Sequence, residues 1–279
     1  MGRKISHLNM PCGFFLAIGC FFFVFSAHAE TYPRDFQFKG LYKVTFSGVA
    51  MGKVGVDFSQ YAGHYTATSD IKTTGLMKMF TPHSSHSTVK ATGADFQYDT
   101  VEYVTDYQTR NKKKHVEIRY ANGAFKEARL VPPESPGKRP DVPEDLKDGS
   151  HDPLSSLINT RQKLIDAIET GQNQFKQQTY DGRRLTTITF RIMGKRNIRM
   201  NGRKVPVIQV NARRALTAGF TTSELDRYDP GEPALVIYFS NDEALFPVRL
   251  EIPIYMSVMQ ADLHTRCSAE QSCLLGNSD

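Results

Sequence analysis

HDPLSSLINTRQKLIDAIETG, residues 151–171, is the stretch on which the fold turns. Asp152 can cap a helix, Pro153 suits its first turn, and Leu154, Leu157, Ile158, Leu164, Ile165 and Ile168 recur at steps of three and four until Gly171 stops the run. The spacing predicts one amphipathic helix over about 152–170. On either side the chain reads instead as short alternating strands parted by Gly, Asn and Asp turns. The expected fold class is mainly β, with this one central amphipathic helix as its plug.

Upstream, Tyr42, Val44 and Phe46 share one face, Gly48 to Gly52 reads as a turn, and Val54, Val56 and Phe58 return as the second arm of a hairpin. Tyr65, Ala67 and Ile71 mark a third strand, continued antiparallel from near Ser84. Further strands run through Phe96, Tyr98, Val101 and Tyr103, then Val116, Ile118 and Tyr120. Asn122-Gly123 is a two-residue hairpin signal leading into Phe125 to Val131. Pro132 to Pro143 holds five prolines and reads as a surface loop, since proline cannot supply ladder hydrogen bonds. Downstream, Asp181-Gly182 and Asn201-Gly202 punctuate strands that start at Phe175, and Ala234 to Ser240, Phe246 to Tyr255 and Met256 to Leu263 complete the set. Neighbours should pair antiparallel in sequence order, as about a dozen strands of a sandwich or barrel.

The 279 residues carry 35 Lys and Arg against 29 Asp and Glu. Residues 1–29 have the pattern of a signal peptide: Arg3 and Lys4 precede an apolar run from Gly13 to Phe25, and Ala27-His28-Ala29 offers small residues for cleavage before Glu30. A lipid-bearing Cys20 is the rival reading, weakened by Ala17 where a branched residue is wanted. The run is too short for a retained membrane anchor, and no later stretch is long or apolar enough to span a bilayer. The expected product is one β-rich periplasmic domain, residues 30–279. Its remaining cysteines, Cys267 and Cys273, invite a disulfide in an oxidising compartment; zinc would need ligands beyond the nearby His264.

Two stretches have functional readings. In Thr73 to Pro82, which the turn residues mark as a loop, Leu76, Met77, Met79 and Phe80 either fold over the core or form the adaptable lip of a hydrophobic cavity. In the latter case Leu157, Ile158, Leu164 and Ile165 of the helix would pack into the curl behind them. Between residues 183 and 214 stand ten bases and no acid: Arg183, Arg184, Arg191, Lys195, Arg196, Arg199, Arg203, Lys204, Arg213 and Arg214. Without Arg3 and Lys4 the formal net charge of +6 becomes +4, so outside this stretch the chain stands at −6. A solvated sheet face and a basic surface for an anionic partner are both open readings. Nucleic acid is not expected, because export keeps the chain away from it and no binding motif appears. His83 and His86 lie among Ser84, Ser85 and Ser87, but there is no Gly-x-Ser-x-Gly elbow, no His-Glu-x-x-His and no phosphate-cradling glycine loop. No catalytic residue, metal or cofactor is assigned.

A first strand of the form Tyr-x-Val-x-Phe with Gly52 in its hairpin, then Thr73-Thr74-Gly75, His151-Asp152-Pro153-Leu154-Ser155-Ser156-Leu157, Asp181-Gly182-Arg183-Arg184, Gly219-Phe220 and Phe246-Pro247-Val248-Arg249-Leu250 follow in that order. Together they resemble a bacterial domain-of-unknown-function family, number 3108, from about Phe38 to Ser257. The resemblance implies exported envelope proteins of Gram-negative bacteria, with a long antiparallel sheet curled into an open or spiral barrel. That shape is similar to the periplasmic lipoprotein carriers. It implies no enzyme activity, and since Ala212-Arg213 stands where some relatives have cysteine, no disulfide position is carried over. The expected function is a non-enzymatic periplasmic cell-envelope protein that binds a hydrophobic or lipidated ligand in its curl and supports envelope integrity. The expected partners are a lipid, a lipoprotein or an anionic envelope component. The alternatives are a surface-acting structural scaffold with a filled core and a cell-wall or lipid hydrolase.

Overall fold

The computed structural model describes residues 32–94, 97–230, 235–254 and 256–275. The signal-like segment 1–29 and the strand positions Phe96, Ala234 and Tyr255 lie outside the described residues. The first half runs β1 (Phe36–Phe46), β2 (Val49–Tyr61), β3 (His64–Thr73), α1 (Leu76–Phe80), β4 (His83–Ala94), β5 (Gln97–Thr109), β6 (Lys113–Ala121) and β7 (Ala124–Val131). Two helices follow, α2 (Glu144–Lys147) and α3 (Pro153–Thr170). The second half runs β8 (Gln174–Tyr180), β9 (Leu185–Met200), β10 (Arg203–Ala218), α4 (Thr222–Leu225), β11 (Leu235–Ser240), β12 (Pro247–Ile254) and β13 (Ser257–Arg266).

All strands belong to one 13-stranded antiparallel sheet in the order β7-β6-β5-β4-β3-β2-β1-β13-β12-β11-β10-β9-β8. Each half is a meander, as sequential pairing predicts. The halves are joined by β1 against β13, with Val44 opposite Ala261. The free edges are therefore β7 and β8, and they exchange no ladder among the described residues. Their side chains nevertheless meet: the Phe125 and Tyr180 rings are 5.6 Å apart, edge to face, and the buried Lys147 ammonium lies 4.5 Å and 5.6 Å from their two centroids. The sheet thus curls until its edges face each other without closing into a barrel.

α3 fills the curl. The Asp152 carboxylate accepts the backbone N–H groups of Leu154 at 2.9 Å and Ser155 at 3.0 Å, and Gly171 ends the helix at φ 70°, a left-handed conformation that glycine adopts without strain. Leu154 and Ile158 join the core formed by β1–β6, and Leu164 and Ile165 join that of β9–β11. Arg161 is buried on the same helix. It donates to the carbonyls of Ala244 (2.7 Å), Pro33 (2.9 Å) and Glu243 (3.2 Å) and stacks 4.1 Å over Phe36, which ties the entry segment and the β11–β12 turn to the plug. Burial, followed by the neighbouring Arg34, lowers its pKa to about 10.

Two expectations change. The loop at 73–82 contains one helical turn, α1, and α2 and α4 are equally short, so α3 is not the sole helix. The first hairpin turn is tighter than Gly48 to Gly52: Ser47 and Gly48 carry it at φ 49° and 79°. Gly52 lies inside β2, where a Cβ would come 2.7 Å from the Lys72 carbonyl.

Candidate functional site

A concavity of about 1010 Å³ opens at the rim where β3–β6 end beside α1. Because successive residues of a strand point to opposite faces, register decides what meets here. Asp70 of β3 lies opposite His86 of β4, His86 opposite Asp106 of β5, and Asp106 opposite His115 of β6. These four form a row across the convex face that alternates carboxylate and imidazole. His86 Nδ1 is 2.6 Å from Asp70 Oδ1, His115 Nδ1 is 2.8 Å from Asp106 Oδ1, and His115 Nε2 is 2.9 Å from Glu117 Oε1. The Glu117 and Asp106 carboxylates, in that order, raise the His115 pKa, and the same hydrogen bond lowers that of Glu117.

The C-terminal segment is tied to two of the lining residues, Asp70 and Lys72. Cys267 and Cys273 are joined in a disulfide with their Cα atoms 5.9 Å apart. The chain after it lies so close over β2 that a Cβ at Gly55 would stand 2.3 Å from the Cys273 carbonyl. Asp70 Oδ2 accepts the Leu275 N–H at 2.9 Å, and Lys72 Nζ donates to the Leu275 carbonyl at 3.2 Å.

The lining itself carries several bases. Lys113 and Lys114 of β6, Arg110 of the β5–β6 turn and Lys78 of α1 line the cleft. Burial and then the charge of Arg183 lower the Lys114 pKa. The Arg110 guanidinium donates to the Met79 carbonyl, so the turn and α1 form one corner. Among the described residues there is no group of three or more His, Cys, Asp or Glu side chains placed to hold a metal ion.

A family model described as "Protein of unknown function (DUF3108)" matches residues 41–263. The chain belongs to this DUF3108 family. Among solved structures, a beta-barrel-like protein of the domain of unknown function DUF1849, from Brucella abortus, is similar over 84% of this chain and 98% of its own. The TM-score is 0.56 and the identity 13%, so the likeness is one of fold. No curated protein matches the chain.

In this DUF3108 chain the residues expected to form an apolar mouth and lining fall on two elements, α3 and α1. Leu164 and Ile165 are each 0% exposed in one core, Ile158 is 2% exposed in the other, and Leu157 packs beside Ile158, so these side chains pack into the curl. Met77 is half-buried, whereas Met79 and Phe80 are 68% and 70% exposed. Leu76 opens α1.

The ten bases do not form one surface either. Arg183 and Arg184 sit in a loop network: Arg184 pairs with Asp181 at 2.7 Å and Glu224 at 3.2 Å, and Arg183 approaches Glu134 at 4.0 Å. The Thr221 backbone N–H, together with the nearby arginines, lowers the Glu224 pKa to about 2. Arg191, Arg213 and Arg214 lie exposed along the middle of β9 and β10. Pairing of β8 stops at Arg191 and that of β11 at Val207, so the remainder is a two-stranded arm carrying Lys195, Arg196, Arg199, Arg203 and Lys204. The arm folds back over β12, where Arg249 donates to the Arg199 carbonyl at 3.2 Å and Met200 and Val207 pack with Tyr238 and Val248. At about 3.3 Å per residue β9 spans roughly 50 Å, which parts Arg183 and Arg184 at one end from Arg199 and Lys204 at the other.

Proposed function

We propose that this DUF3108 protein is a non-enzymatic periplasmic protein, exported by its signal-like segment 1–29, that supports the cell envelope through its surface. The observation that carries the reading is the filled curl: Ile158, Leu164 and Ile165 occupy the space in which a hydrophobic ligand would sit. A permanent plug favours the scaffold reading over the carrier reading. The disulfide and the signal-like N-terminus support an oxidising compartment. The His86 and His115 imidazoles each have a carboxylate partner, an arrangement suited to holding strands and the C-terminal segment in place. The partner class is an anionic envelope component, met by the exposed bases of the rim or of the β9–β10 arm.

The experiment is a deletion strain complemented by wild type and by His86→Ala. Expected is sensitivity to detergent in the deletion strain, restored by both genes. A deletion strain as resistant as its parent would sink the envelope role, and failure of His86→Ala with normal protein levels and an unchanged urea midpoint would favour a hydrolase. Native mass spectrometry of protein taken from periplasm should give an apo mass. A co-purifying acyl species would return the carrier reading.

A further inference from the structure

We propose that the corner built by α1 and the β5–β6 turn is a contact surface for an anionic lipid bilayer, with Met79 and Phe80 entering the headgroup layer and Lys78, Arg110, Lys112, Lys113 and Lys114 meeting its phosphates. The proposal rests on the reading that the protein acts through its surface in the envelope, and it names the surface and the partner.

Topology makes the corner. His83 pairs with Thr109, and the Thr109 N–H donates to the Lys112 carbonyl at 2.8 Å, so the β3–β4 connection that holds α1 and the β5–β6 turn end at the same rim. The Arg110 bond to the Met79 carbonyl then fixes one against the other. Two large apolar side chains more than two-thirds exposed, side by side on one helical turn, are therefore presented beside five bases.

Those bases make no close ion pair. Elsewhere on the surface Arg119 pairs with Glu127 at 2.7 Å, Arg249 with Asp262 at 2.5 Å and Arg34 with Asp166 at 2.5 Å. None of Lys78, Arg110, Lys112, Lys113 and Lys114 makes an ion pair among the described residues; the rim acids Asp70 and Asp106 hold His86 and His115, and Lys114 is within the field of the Glu134 carboxylate without pairing to it. An exposed apolar tip ringed by unpaired bases matches the two layers of an anionic membrane surface, acyl boundary and phosphate. A soluble phosphate compound would use the bases and leave Met79 and Phe80 without a role.

The test is sedimentation of the chain from Thr31 onward, the compact unit that holds the whole sheet and core, with vesicles of phosphatidylcholine alone and of phosphatidylcholine mixed with phosphatidylglycerol. Binding is expected to the mixed vesicles only. It should weaken roughly tenfold in the double variant Lys112→Glu/Lys113→Glu and again in Met79→Ser/Phe80→Ser, with the arm variant Arg199→Glu/Lys204→Glu close to wild type. Hydrogen exchange of the wild type with mixed vesicles should protect residues 76–80 and 110–114, which keeps the test independent of how the variants fold. Overturning results are no binding to mixed vesicles, loss of binding in the arm variant alone, or binding of glycerol phosphate at the rim with none to vesicles. An unaffected envelope in the deletion strain together with vesicle binding would remove the envelope role and leave the contact standing.

Discussion

α3 and α1 are built from similar apolar residues and have opposite fates. α3 buries Ile158, Leu164 and Ile165 almost completely, while α1 leaves Met79 and Phe80 to solvent. The difference lies in length and ends. Eighteen residues capped by the Asp152 carboxylate and by left-handed Gly171 repay the cost of nucleating a helix and present a continuous stripe. Five residues with no side-chain cap at Gly75 make one turn, too short for its side chains to reach the core together. Residue type alone therefore does not decide whether the apolar side chains of a helix are buried or exposed.

The largest expected effect tests the scaffold side. Leu164→Ala removes a fully buried side chain between α3 and β9–β11 and should cost about 2–5 kcal/mol, read from urea denaturation. A loss below about 1 kcal/mol would mean that the curl has room to spare and would revive a cavity. Next comes the cap: Asp152→Ala should cost about 1–2 kcal/mol and Asp152→Asn much less, because Asn keeps an oxygen for the Leu154 and Ser155 N–H groups. Equal losses in both variants would show that charge, not capping geometry, is what the site needs.

The contrast was legible in the sequence on one side only. The spacing of Leu157, Ile158, Leu164 and Ile165, the Asp152 and Gly171 ends and the Asn122-Gly123 and Asn201-Gly202 turns are local signals, so α3 and the meanders could be read directly. The pairing of β1 with β13 could not, because it joins the two ends of the domain by a register that no local residue encodes. The rim row is intermediate. Asp106 and His115 are mirror positions about the Arg110–Lys112 turn, and assuming a hairpin there would have paired them. Asp70 and His86 mirror about α1, which looked like an irregular loop and hid the symmetry. The ten bases misled because closeness in sequence along two long strands means distance in space and alternation between faces.

A smaller effect sharpens the account of how α3 begins. Burial lowers the His151 pKa to about 4 and raises that of Asp152 to about 6. For His151 the unfolded state binds the proton more tightly, so its contribution to stability is lost as pH falls from about 6.5 to about 4. For Asp152 the folded state binds it more tightly, so stability is gained as pH falls from about 6 to about 3.8. The two oppose each other in adjacent residues. Relative to wild type, Asp152→Asn should lose stability on going from pH 7 to pH 4.5, and His151→Gln should gain it. Urea midpoints at the two pH values read the signs directly, and identical slopes in the two variants would show that neither group titrates as its burial implies.

The smallest effect belongs to α1. If Met79 and Phe80 face only water in the free protein, Met79→Ser/Phe80→Ser should change stability by no more than about 0.5 kcal/mol, because no buried contact is removed. A loss above about 1 kcal/mol would place these side chains against the sheet and make α1 a second plug. A near-zero change has the stronger consequence. Two large apolar side chains held in solvent on a short helical turn, at no benefit to the fold, are what the proposed bilayer contact requires.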